Sequence, residues 1–233
     1  NTIKGEALAL RAYIHFDLLR MFAPSPAAAG TNVSAIPYVA VLSPYATQVS
    51  TTGAVLDQCL ADLQKSLSLL SNTDLVTSKI TYWGVKGLLA RLYLYKGDLT
   101  NAQANALEVI NSNKFPLFDN SSFNVANDLM FPKEHLFSLY SYSTISNGYY
   151  KTVLNTNPPL GFSVLNQTAL FVTGSGATGD RRRAFVDPAT GGVNISITNA
   201  NVSPRKFYGA YTNALPMIRM TEMYYIAAEC ATA

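Results

Sequence analysis

Apolar residues recur at helical spacing through the first half of the chain and lose that spacing after Pro116. Residues 3–23, IKGEALALRAYIHFDLLRMFA, read as a first helix with apolar positions almost all round it, which predicts burial on several sides. Pro24 and Pro26 stop it, and 24–35 reads as a small-residue loop. Ile36-Pro37-Tyr38-Val39 reads as extended, because the residue before a proline avoids the helical region. Residues 43–50 read as loop. A second helix is predicted over about 52–71, where Leu56, Leu60, Leu63, Leu67 and Leu70 form one stripe and Asp57, Asp62 and Lys65 take the wet face.

The stretch 81–115 is the most informative. From Trp83 to Tyr95 it is nearly all apolar, and Val85, Leu88, Leu92 and Tyr95 follow one helical line. Gly97 stands where a helix stop is expected, since glycine enters the left-handed region without a Cβ penalty. Thr100 and Gln103 are spaced as a capping box for a further helix, which turns Ala102, Ala106, Val109 and Ile110 inward. Ala90, Tyr93, Gly97, Ala102 and Ala106 fall at the offsets of a tetratricopeptide repeat. The small residues let two antiparallel helices approach, with Tyr93 filling the gap beside them. One such pair cannot bury its own face, so neighbouring helix pairs are predicted.

After Pro116, Gly, Asn, Ser, Thr and Tyr dominate. Residues 134–142 alternate apolar and polar and read as a strand or extended segment. Residues 143–163 read as a long loop, and a last helix is predicted to begin near Pro216, a favoured first-turn position. The expected fold is therefore mostly α, with tetratricopeptide-like antiparallel helix pairs and a long, loop-rich, partly extended ligand-binding region. Its parts are a scaffold over 3–115, a binding region over 116–215 and the start of a further scaffold helix over 216–233.

Composition narrows the function. Charged residues make up 13% of the 233, aromatics 11%, and the net charge is +3. Neither a disordered chain nor a nucleic-acid binder fits that balance. No apolar run reaches the roughly 18 residues of a transmembrane helix. Cys59 and Cys230 lack metal-ligand spacing and read as small buried hydrophobes. His15 and His135 have no second ligand at hand, so no metal and no cofactor is expected; His15 reads as a packed helix residue. The chain opens on Asn1 and closes inside the amphipathic stretch IRMTEMYYIAAECATA, which reads as a piece of a longer protein whose targeting signals lie elsewhere.

Several blocks taken in order resemble the SusD/RagB family of outer-membrane nutrient-binding lipoproteins. They are IKGEALALRAYIHFDLLRMFA at 3–23, IPYV at 36–39, DQCLADLQKSLSLL at 57–70 and KGLLARLYLYKGDLTNAQANALEVI at 86–110. GDRR at 179–182, KFY at 206–208 and PMIRMTEMYYIAAEC at 216–230 follow. The run Arg181-Arg182-Arg183 is more basic than the family's Asp-x-Arg. The resemblance implies one SusD-like domain, incomplete at both ends, on a repeat-like helical scaffold. It implies non-catalytic capture of an oligosaccharide, or in one branch a peptide, at the extracellular face of the outer membrane. It implies delivery to a SusC-like TonB-dependent transporter, with attachment to the membrane only through an N-terminal lipid anchor not present in this chain.

Tyr140, Tyr142, Tyr149, Tyr150, Phe207, Tyr208 and Tyr211 fall outside the predicted scaffold. A sugar ring has an apolar C–H face and a hydroxyl rim, and tyrosine answers both with a flat ring and a polar tip. Asn147 and its neighbours Asn155, Asn157 and Asn213 offer donors and acceptors for hydroxyls. The expected ligand-binding residues are Tyr140, Tyr142, Asn147, Tyr149, Tyr150, Tyr208 and Tyr211. Structural roles are expected for Ala90, Tyr93, Gly97 and Ala102, for Asp180 with Arg182 as a loop-tying pair, and for Arg219 with Glu222 as a pair three residues apart on one helix face. Gly174, Gly176 and Gly179 fit G-x-G-x-x-G, but no βαβ unit surrounds them and a loop is the better reading. Hydrolysis would need two facing carboxylates. Asp119, Asp128, Glu134, Asp180 and Asp187 are available, but nothing in the sequence pairs them. A peptide- or protein-binding helical-repeat scaffold remains the alternative, with a glycan-active hydrolase behind it.

Overall fold

The computed structural model describes residues 1–118, 131–140 and 214–232. In chain order these form α1 (Thr2–Phe22), α2 (Pro26–Ala29), β1 (Ser34–Pro37), β2 (Val49–Thr51), α3 (Thr52–Leu67), α4 (Tyr82–Lys96) and α5 (Leu99–Asn111). A 3-10 turn (Pro132–Glu134), β3 (His135–Tyr140), β4 (Ala214–Arg219) and α6 (Met220–Thr232) follow. The chain divides into two compact units, one of residues 1–117, 133–138 and 217–233 and one of 118–132 and 139–216.

The first unit is a stack of helices. α1 packs on α3, α3 on α4, α4 on α5 and α5 on α6. α1 meets α3 along Gly5, Ala9, Ala12, Phe16 and Leu19, all buried. Small residues on that line bring the backbones together. A Cβ on Gly5 would stand 3.0 Å from Leu70 Cδ2, Ser66 Oγ donates to Gly5 O at 2.7 Å, and Cys59 Sγ donates to Ala12 O at 3.5 Å. α1 is also covered to either side of that line, where Tyr13 meets Phe137, His15 meets Tyr38 and Phe16 meets Tyr95. Burial on several sides is thus seen, but it does not run all round the helix: Ile3, Ile14, Met21 and Phe22 are exposed.

In α3 the leucine stripe is buried at Leu56, Leu60 and Leu63. The helix ends at Leu67 rather than near 71, and Leu70 still packs against the core from beyond it. Asp62 does not take the wet face. It is buried, accepting from Arg11 Nε at 2.6 Å, Arg11 Nη2 at 2.7 Å and the Tyr38 hydroxyl at 2.6 Å. A carboxylate can enter a core when its lone pairs are met in this way. β1 and β2 form an antiparallel pair with Ser34 opposite Thr51 and Pro37 opposite Val49. The loops expected over 24–35 and 43–50 therefore contain a short helix and strand residues.

The α4–α5 turn follows the sequence closely. Gly97 is left-handed, with φ 86°. Its N–H donates to Leu94 O at 3.0 Å and the Asp98 N–H to Tyr93 O at 2.9 Å, the two bonds that close a helix C-terminus around glycine. α5 starts earlier than the expected capping box of Thr100 and Gln103. Asp98 is the cap, its side chain accepting from Asn101 N at 3.1 Å. An aspartate one residue before the helix meets the first-turn donor of Asn101, as Thr100 was expected to meet that of Gln103. Ala90, Ala102 and Ala106 are fully buried, as close approach of two helices requires. Tyr93 is half-buried against the core, and its hydroxyl accepts from Gln64 Nε2 of α3 at 3.4 Å.

Candidate functional site

α4 is covered on most of its circumference, with Trp83, Gly84, Val85, Gly87, Leu88, Leu89, Ala90 and Leu92 all buried. Its glycines make room for the segments that leave and re-enter the first unit. A Cβ on Gly87 would meet Ile218 Cγ2 at 2.9 Å and Leu136 Cδ2 at 3.2 Å, and one on Gly84 would meet Leu136 O at 3.4 Å. β3 and β4, which pair with each other, thus lie directly on α4 through Leu136 and Ile218, both fully buried. Gly84 and Gly87, three apart on one helix face, are the sequence signal for this approach, and pattern reading passed over them.

Charged side chains hold this junction at two points. Arg91 of α4 donates through Nε to Glu222 Oε1 at 2.5 Å, and through Nη2 to Glu222 Oε2 at 2.7 Å and Met217 O at 3.0 Å. Burial works against the Arg91 charge, but the Glu222 carboxylate outweighs it and the guanidinium stays above its ordinary pKa. Arg219 donates to the buried Glu134 carboxylate at 3.2 Å. The expected Arg219–Glu222 pairing on one helix face is therefore corrected. Residues 214–219 are a strand, the helix begins at Met220, and each of the two side chains reaches a partner remote in sequence. Pairing with β3 overrides the first-turn preference of Pro216 for helix. Arg91 was missed altogether, although a cation within an otherwise apolar helical run needs a buried acid somewhere in the fold.

β3 is hydrogen-bonded to the chain ahead of α4, Ser138 N donating to Thr77 O at 2.7 Å. The Ser138 hydroxyl and His135 Nδ1 lie 2.8 Å apart. Burial falls away along β3, from His135, Leu136, Phe137 and Ser138, which are buried, to Leu139 and Tyr140, which are exposed. Tyr140 is 59% exposed and sits at the outer end of the strand. It is the one expected ligand-binding residue among those described. Tyr142, Asn147, Tyr149, Tyr150, Tyr208 and Tyr211 lie outside the described residues, as do Asp180 and Arg182. Among the described residues no group of His, Cys, Asp and Glu could hold a metal ion, and no helix is long and apolar enough to cross a membrane.

Residues 1–94 match a SusD-like family model described as starch-binding and associating with the outer membrane. The fold, compared with solved structures, carries the likeness over the whole chain. A SusD superfamily protein from Bacteroides thetaiotaomicron matches with a TM-score of 0.76 at 23% identity, over 100% of this chain and 55% of the other. The chain has the fold of that structure. A SusD superfamily protein from Bacteroides vulgatus matches it with a TM-score of 0.79 at 21% identity, over 99% of this chain and 54% of the other. A SusD-like carbohydrate-binding protein from the same species matches with a TM-score of 0.74 at 20% identity, over 99% and 51%. The chain thus spans about half the length of the structures it matches. Curated protein sequences yield no match.

Proposed function

We propose that this chain belongs to a non-catalytic protein that captures oligosaccharide at the outer face of the outer membrane and passes it to a SusC-like TonB-dependent transporter. The match of residues 1–94 to a family described as starch-binding and outer-membrane-associated carries this reading. The likeness in fold to a carbohydrate-binding protein supports it. Residues 139–216 leave and rejoin the helical scaffold on two strands, and they hold most of the tyrosines that the sequence singles out. Stacking on those rings and hydrogen bonds from Asn147 and its neighbours would give many weak contacts, each satisfied without charge on the ligand.

Isothermal calorimetry against a panel of α-glucan oligosaccharides, other glycans and peptides tests the proposal. We expect a glycan to bind. Tyr149→Ala and Tyr150→Ala should each weaken it by about tenfold, roughly 1.4 kcal/mol, as loss of an anchoring aromatic does. A panel with no glycan binder overturns the sugar reading, and a peptide binder in its place supports the helical-repeat alternative. Full affinity in both variants would leave glycan capture standing and remove these two residues from the site.

A further inference from the structure

His15 lies on α1, is 9% exposed, and has both ring nitrogens committed. Nδ1 is 2.8 Å from Arg11 O, a group that only accepts. Nε2 is 3.0 Å from Val39 N, a group that only donates. One protonation state satisfies both neighbours: a neutral ring with its hydrogen on Nδ1 and its lone pair on Nε2. A second proton, on Nε2, would set two N–H groups against each other at 3.0 Å. Imidazole is the side chain that gains a proton closest to neutrality. We propose that His15 is an acid-sensitive latch for residues 38–49, holding Val39 when neutral and letting it go when charged.

The surroundings suit that role. The segment is closed at its base by β1 and β2 and tied to α1 at Val39 N and at Ala40 O, the latter accepting from Arg11 Nη1 at 2.8 Å. The arginine contact does not titrate, so the histidine contact is the one that acid removes. Residues 38–49 contain no Asp, Glu, Lys, Arg or His. Around the Tyr38 ring that lies on His15 stand Arg11, Asp62 and Cys59. On α1, the Arg11 guanidinium opposes a second cation. From the segment itself, the Tyr38 ring lies 4.2 Å from the His15 ring, tilted by 30°. That ring face would welcome a cation, but Arg11 already stands 5.8 Å from its centroid. On α3, Asp62 would favour the charged ring, but it is occupied by both Arg11 nitrogens and the Tyr38 hydroxyl. Cys59, also on α3, has its thiol pushed up to about 12 by burial and stays neutral. What release would free is a segment with Val41, Leu42 and Tyr45 already exposed.

Two measurements on the intact chain decide this. Nitrogen chemical shifts of the imidazole should show the hydrogen on Nδ1 at about pH 7.5; a hydrogen on Nε2 overturns the proposal without any variant. Amide exchange at Val39, corrected for intrinsic rate, should lose protection by at least about tenfold between about pH 7.5 and about pH 5. Carboxylates in general remain ionised over that range. In His15→Gln the amide oxygen can accept from Val39 N and cannot titrate, so the protection should become independent of pH. Constant protection in the wild type, or the same loss in His15→Gln, overturns the assignment.

Discussion

Gly97 has φ 86° and open space around the position a Cβ would take. A side chain there meets no neighbour, so its cost is the backbone's alone. Gly97→Ala should lower stability by about 1 kcal/mol, read as a lower denaturant midpoint with an unchanged slope. Gly97→Asn should cost less, since asparagine tolerates the left-handed region. This residue was legible in the sequence because its role is local: a helix must stop, and glycine stops it. Asp62 and Arg91 were not. Asp62 meets Arg11 51 positions away, and Arg91 meets Glu222 131 positions away. Periodicity assigns a charged residue to a solvent face by default, and only the folded partner can overrule that. The aromatic residues expected at the ligand site stand out in the sequence by their concentration outside the helical pattern. Tyr140 is placed at the exposed end of β3.

At the scale of elements, α4 is set apart by what lies against it. Helix propensity favours alanine over glycine by up to about 1 kcal/mol, so Gly87→Ala in an isolated helix would be a gain. Here the added methyl would stand 2.9 Å from Ile218 Cγ2, a stiff β-branched methyl in a fully buried side chain. Overpacking of this kind costs about 1–3 kcal/mol, and Gly87→Ala should destabilise by about 1 kcal/mol net. Ile218→Leu removes the offending methyl, so the double variant should recover most of the loss. A double-mutant cycle by chemical denaturation would measure that coupling. α3 and α5 were predictable because each buries a stripe at the helical period, and α1 and α4 because their apolar runs are long and unbroken by proline. The start of α6 was not, because Pro216 suits either a helix start or a strand and β3 decides between them.

At the scale of the molecule, the described helices build one on the next, with α1 and α3, then α4 and α5, then α6 packed on α5. Each pair covers a face its predecessor leaves open, which is how repeat architectures share one core. Arg91 binds the last of these layers to the strand ahead of it. Removing one member of a fully buried ion pair costs about 3–5 kcal/mol. Glu222 is partly exposed here, so Arg91→Met should cost about 2 kcal/mol, seen as a lowered thermal midpoint. A further consequence comes from where the scaffold lets the chain go and takes it back. It releases the chain after Ser138 and recovers it at Met217, each strand seated on α4 by residues of the scaffold itself. The exit and the return of the chain are thus both set by residues of the first unit. For any chain closed between two fixed ends, added length costs little, about 0.6 kcal/mol for each doubling. Two anchors seated on one helix can therefore hold intervening sequences of different length while the helices that carry them stay as they are.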